Sequence, residues 1–229
     1  LVGGTNNKSC NTTTGGGHTI VVGGCDNHAI GSYSSIVGGI SNKASAACSF
    51  IGGGCLNSIS GYYSSFIGGG YCNSISGNYG GHNIIGGGVQ NTISSYWSAI
   101  LGGYANTIST NSYGTIVGGR TNTISSGYDT FIGAGYKNKV TACQASIVGG
   151  FNNTASAACS FIGGGCNNSI STHIGGFIGG GRNNTIEGSG QDGFLGGGNN
   201  NYILSSTNGG HVLVGGTNNK SCNTTTGGG

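Results

Sequence analysis

Proline and methionine are absent, tryptophan occurs once, and only seven Lys or Arg and four Asp or Glu stand among 229 residues. Each shortage closes something off. With no proline, and glycine not falling at every third place, a collagen-like helix is excluded. The lack of proline also leaves every backbone N–H available for pairing. A net charge of +3, thinly scattered, is not the basic footprint of a nucleic-acid binder. No apolar run approaches the roughly 18 residues of a membrane span. What fills the chain is glycine, 54 residues of it, with Ser, Thr and Asn. Such a composition suits a flexible linker, but aliphatic residues recur at fixed places and argue for order.

The segment LVGGTNNKSCNTTTGGG runs from Leu1 to Gly17 and returns letter for letter from Leu213 to Gly229. The chain reads as one 212-residue period of a tandem array (1–212) followed by the start of the next (213–229). An array of this kind points to a fibre or stalk before an enzyme.

A shorter repeat lies inside the long one. Its marker is an asparagine: Asn7, Asn27, Asn42, Asn57, Asn73, Asn91, Asn106, Asn122, Asn138, Asn153, Asn168, Asn184, Asn201 and Asn219, spaced 15 to 20 residues apart. The sixth residue before each is aliphatic, as at Val21, Ile36, Ile51 and Leu195. Four and three residues before it stand Gly-Gly, with Ala134-Gly135 the sole departure. Two residues after it Ile is commonest, as at Ile59 and Ile170. The unit is too short for a helical hairpin. Gly-Gly supplies corners, and Ile and Val suit strands. The expected fold is all-β, a parallel β-solenoid (β-roll or β-helix) of about 13 coils of 15–20 residues. At about 4.8 Å per coil one period would advance roughly 62 Å. The marker Asn has two open roles: an amide ladder from coil to coil, or a turn residue tolerating positive φ.

The residues on either side of the constant aliphatic point the other way, and they trade size. Phe50, Phe66, Phe131, Phe161, Phe177 and Phe194 each have Gly two residues on. Ser35, Ala99, Thr115 and Ser146 each have Val or Leu there. This is volume bookkeeping. One face lines the lumen. The other makes an apolar stripe, and soluble monomers rarely expose such a stripe. Burial against other chains in a fibre is expected. The rival is a wide single coil whose lumen takes both sets through a bulge.

Gly54-x-x-Asn57-x-Ile59-x-Gly61, preceded by Ser49-Phe50-Ile51-Gly52, resembles the head repeat of trimeric autotransporter adhesins of the YadA type. It is also similar to Gly-Gly-Gly-x-x-Asn repeats of phage and large-virus fibre-like proteins. The resemblance covers nearly the whole chain, coil by coil. It implies a left-handed parallel β-roll with three chains around a common apolar axis. The chain departs from that family in coil length, in Asn where the family often has Ala or Ser, and in carrying cysteine.

One period holds eight cysteines, since Cys222 is the copy of Cys10. No CxxC occurs, so structural disulfides and an oxidising setting are expected. Cys55–Cys72 and Cys143–Cys159 lie at nearly matching places on adjacent coils and are the candidate bridges. The remaining cysteines have no obvious partner one coil away. Asn11, Asn152, Asn167 and Asn183 are candidate N-glycosylation sites. The last three directly precede marker residues, so alternation turns them outward. Asn7 is also a sequon, but a marker residue and inward. Tyr33, Tyr62, Tyr63, Tyr79, Tyr96, Trp97, Tyr113 and Tyr128 recur in one turn, as a rough aromatic column or as residues folded over the coil's end. Catalytic material is sparse. The histidines have no nucleophile at matching register, Glu187 is the one Glu, and no phosphate-binding loop is present. No cofactor, metal or enzyme activity is expected.

Three functions fit. The first is a structural fibre outside the cell, or on a cell or virion surface, self-associating along its length and laterally. The second is an adhesin shaft that binds glycans through turn Tyr, Asn and Ser. The third is an ice-binding solenoid, ranked last because Thr92, Thr107 and Thr123 share a column over only a few coils.

Overall fold

A computed structural model describes residues 3–11, 17–61, 63–77, 81–110, 113–205 and 210–223. The chain is an all-β parallel β-solenoid, with no helix among the described residues. It divides into two compact units, Leu1–Gly118 and Gly119–Gly229.

In the first unit, a front sheet stacks strands Ile20–Val21, Ser35–Ile36, Phe50–Ile51, Phe66–Ile67, Ile84–Ile85, Ala99–Ile100 and Thr115–Ile116. A back sheet stacks Lys8–Ser9, His28–Ala29, Lys43–Ala44, Ser58–Ile59, Ser74–Ile75, Thr92–Ile93 and Thr107–Ile108. The second unit repeats this. Its front sheet contains Phe131–Ile132, Ser146–Ile147, Phe161–Ile162, Phe177–Ile178, Phe194–Leu195 and Val212–Leu213. Its back sheet runs from Thr123–Ile124 to Lys220–Asn223. Each strand pairs in parallel with its equivalent one coil away, Phe50 with Phe66 and Ile51 with Ile67 for example. A third column of single bridges marks the corner between the sheets, as in Cys25–Ile40–Cys55–Tyr71.

The second residue of each front strand points inward. Val21, Ile36, Ile51 and Ile67 in the first unit, and Ile132, Ile147, Ile162 and Ile178 in the second, are wholly buried. The back sheet answers with Ile59, Ile75, Ile170 and Ile186, equally buried. Each such side chain contributes about 1.5–3 kcal/mol relative to exposure.

From Asn27 to Asn201 the marker Asn is buried beside these aliphatics. Its amide takes the place of a peptide group in the ladder. The Asn57 N–H donates to Oδ1 of Asn42 (3.0 Å). Asn57 Nδ2 donates to the carbonyl of Gly53 in its own coil (3.0 Å) and to that of Gly70 in the next (3.0 Å). Asn57 Oδ1 then accepts the N–H of Asn73 (3.0 Å). Asn168 in the second unit does the same with Asn153, Gly164, Gly181 and Asn184. Positive φ falls on the residue just before: Leu56 at 58°, Cys72 at 54°, Asn167 at 56°. The two roles open to the marker thus separate onto neighbouring residues.

The Gly-Gly pair has a matching asymmetry. The second glycine has φ near 90°, and a Cβ on Gly54 would lie 2.1 Å from the Gly70 carbonyl oxygen. Around the first glycine there is open space: a Cβ on Gly38 or Gly102 would meet nothing. The one departure, Ala134, stands at this first place.

Replacing Asn57 by Ala strands the buried Asn73 N–H and takes one donor from each of the Gly53 and Gly70 carbonyls, the second of which still accepts the Cys55 N–H. A loss of roughly 2–4 kcal/mol is expected, against at most about 0.5 kcal/mol for Asn152→Ala on the surface. Urea melts of the two variants beside the parent measure the difference.

Candidate functional site

The front face carries the apolar stripe on its outward side. Phe50, Phe66 and Phe194 are exposed, as are Val37, Leu101, Val117 and Val148, while Phe131, Phe161 and Phe177 are half-buried. This excludes the bulged wide coil, because the Phe set is outside the lumen. Rings stack from coil to coil: Phe50–Phe66 at 5.4 Å, Phe161–Phe177 at 5.2 Å and Phe177–Phe194 at 5.1 Å.

The size trade along this stripe has a cause inside the chain. A Cβ placed on Gly68 would come 3.4 Å from Cε1 of Phe66, and the same holds for Gly133 under Phe131. The ring lies over the glycine two residues on. At those glycines the backbone also passes close to the next coil, since the Gly68 Cβ would sit 2.2 Å from the Gly86 carbonyl oxygen. Phe66 and Phe131 thus lie over the glycines of their own coils.

The cysteines correct an expectation. All nine are free. Cys55 bridges to Tyr71 rather than Cys72, which sits one place later on the positive-φ residue. Cys159 lines up with Gln144, not Cys143, and its thiol lies 3.4 Å from Gln144 Oε1. In both pairs an offset of one residue puts the sulfurs in different columns. The candidate bridges Cys55–Cys72 and Cys143–Cys159 are withdrawn, and with them the cysteine argument for an oxidising compartment.

Asn152, Asn167 and Asn183 are exposed, all at positive φ. They form a second, outer amide ladder: Asn152 Nδ2 donates to Asn167 Oδ1 (2.9 Å), and Asn167 Nδ2 to Asn183 Oδ1 (3.1 Å). Asn11 is half-buried and accepts from Ser32 Oγ (3.2 Å). Of the turn aromatics, Trp97 and Tyr113 lie 5.1 Å apart and Tyr96 packs edge-on to Trp97. Between Tyr63 and Trp97 the column is broken by Gly81 and His82, to which their backbones bond. Tyr62 and Tyr79 lie outside the described residues. Thr92 and Thr107 pair in the back sheet with Ser74 beside them, half-buried.

Sequence reading passed over the corner column two residues before the marker. Ile40, Tyr71, Tyr104 and Phe151 are all exposed there. Its residue types vary too widely to show a pattern. The signal was positional: it is the residue straight after Gly-Gly.

One triad-like cluster lacks the needed order. Ser41 Oγ donates to Asp26 Oδ2 (3.0 Å), and Asp26 pairs with His28 (3.3 Å). Activating a serine requires the imidazole against the hydroxyl. Here the carboxylate holds that place. Among the described residues no three His, Cys, Asp or Glu side chains group around a metal position. Tyr202, hydrogen-bonded to Glu187 and under the Lys220 ammonium, has its hydroxyl pushed up to about 12 by that carboxylate.

No protein-family model matches this chain, and no curated protein matches it.

His173 is wholly buried, and neither ring nitrogen has a hydrogen-bond partner. It stands four residues before Phe177, the place that Ala46 and Ala157 hold before Phe50 and Phe161. Room for the ring comes from Gly190 and Gly193 of the next coil, where a Cβ would meet it at 2.7 and 2.6 Å. Burial lowers its pKa, His211 lowers it further, and Asp192 opposes. A depressed histidine contributes stability above its unfolded value of about 6.5, and that is lost as pH falls through the window below it. Amides of 171–193 should exchange faster at pH 5 than at pH 7, after correction for intrinsic rates, while those of 36–60 hold. His173→Ala should remove the difference.

Proposed function

We propose that this chain is a structural module of a filament, one stretch of a tandem solenoid that associates with further copies through its front face. The observation that carries the reading is the Phe/Val/Leu stripe on the front sheet of each unit, exposed in the single chain. Large exposed apolar patches mark interaction sites, and flat sheet faces pack about 10 Å apart. No charged residue stands at either stripe position in any described front strand. The inner ladder supports the same reading. Each coil is bonded only to its neighbours, so stability is a sum of local terms and length is not limited by a closing element. The resemblance to YadA-type heads and to fibre repeats agrees with this, and with three chains about an apolar axis. An extracellular or virion-surface position follows from the same resemblance.

Phe177→Ser tests it. Ser35 and Ser146 already occupy this column in other coils, so the variant retains its fold. By analytical ultracentrifugation the parent should sediment as an oligomer, and Phe177→Ser combined with Phe161→Ser should dissociate at least tenfold more readily. A parent that stays monomeric at high micromolar concentration, and shows no filaments by electron microscopy, would overturn the proposal.

A further inference from the structure

The corner of the second unit has a chemistry the filament reading does not use. Two columns run along it. The bridge column reads Arg120, Tyr136, Phe151, Cys166, Arg182, Asn199 and Thr217. The positive-φ column beside it reads Thr121, Lys137, Asn152, Asn167, Asn183, Asn200 and Asn218. Tyr136 and Phe151 lie 5.4 Å apart. The Arg120 guanidinium is 5.4 Å and the Lys137 ammonium 5.1 Å from the Tyr136 ring centre. Beyond them the outer amides continue, and Asn200 Nδ2 donates to Asn218 Oδ1 (2.7 Å).

Charge is segregated. The unit holds Arg120, Lys137, Lys139, Arg182 and Lys220, and three of these stand on the corner. Its acids, Asp129, Glu187 and Asp192, all stand elsewhere. The corner thus offers an aromatic shelf, cations at both ends of Tyr136–Phe151–Cys166, and a row of amides. In the bonded pairs each amide retains one N–H and one lone pair for another partner. Coils rise by about 4.8 Å, close to the length of one sugar ring in an extended chain.

We infer that this corner binds a linear acidic polysaccharide laid along the solenoid, with its carboxylates on Arg120, Lys137 and Arg182. A sugar ring rests on Phe151 and the edge of Tyr136, and hydroxyls bond to Asn152, Asn167 and Asn183. The same assignment makes those three asparagines ligand groups rather than glycan acceptors. Substitution on Nδ2 would cover the corner and remove a ladder donor. Single-stranded nucleic acid also combines anion and stacking face, but three cations over seven coils favour a sparsely charged chain with many hydroxyls.

The test is affinity electrophoresis of the full chain, made in a host without N-glycosylation, through gels containing polygalacturonate. Retardation should appear, weaken with salt, and fall at least tenfold for Arg120→Gln with Lys137→Gln. It should fall severalfold for Tyr136→Ser, which leaves charge unchanged. Lys43→Gln with Lys220→Gln, on the back sheets, should leave it intact. No retardation, equal loss in the back-sheet variant, equal affinity for neutral amylose, or tighter binding of a single-stranded DNA oligomer would each overturn the inference. None of these results bears on Phe177, so the filament proposal stands or falls separately.

Discussion

The structure depends on a side-chain amide standing in for a peptide group. In a parallel stack, N–H and C=O groups of one coil bond to those of the next, but at a tight corner the backbone turns away and would bury unpaired groups. The marker Asn closes this gap. Its Oδ1 receives the next marker's N–H, and its Nδ2 spans two glycine carbonyls on successive coils. Aspartate lacks the donors, and serine, with a single O–H, cannot serve both carbonyls. The need recurs at every coil, which explains why this residue is constant while the outward ones vary.

Two further constraints follow from that corner. To turn the Asn inward, the residue before it enters the left-handed region, costing about 1–2 kcal/mol for an ordinary side chain. The chain accepts Leu56, Gln90 and Lys137 there. The buried amide bonds offset that cost, so residue type is free while conformation is not. The second glycine, by contrast, is fixed by contact with the next coil's backbone. Since the interior is settled this way, the outside is free to vary, with an apolar front face and a largely polar corner on different sides of one coil.

Much of this was legible in the residues. The aliphatic six places before Asn57 and the Ile two places after it predicted an inner face, and both are buried. The Phe/Gly alternation was visible too, but its cause was not. It reads as volume bookkeeping on an outward face, and the structure adds that Phe66 covers Gly68 in its own coil. Only side-chain direction distinguishes a ring that reaches outward from one that folds back. The cysteines failed for a related reason. Counted from the markers, Cys143 stands five residues after Asn138 and Cys159 six after Asn153, and that one-residue offset, which near-matching spacing hid, sets Cys159 beside Gln144 instead.

The sequence by itself determined the period, the strand-and-corner order within each coil, and which positions face inward, because burial repeats with the backbone and leaves its mark in composition. Tertiary structure alone decided what meets across coils. It separated the ladder Asn from the positive-φ residue before it. It also gathered Arg120, Tyr136, Phe151 and Asn152 onto one corner. Those relations depend on the register between coils of unequal length, and register is set by backbone hydrogen bonds that carry no residue identity.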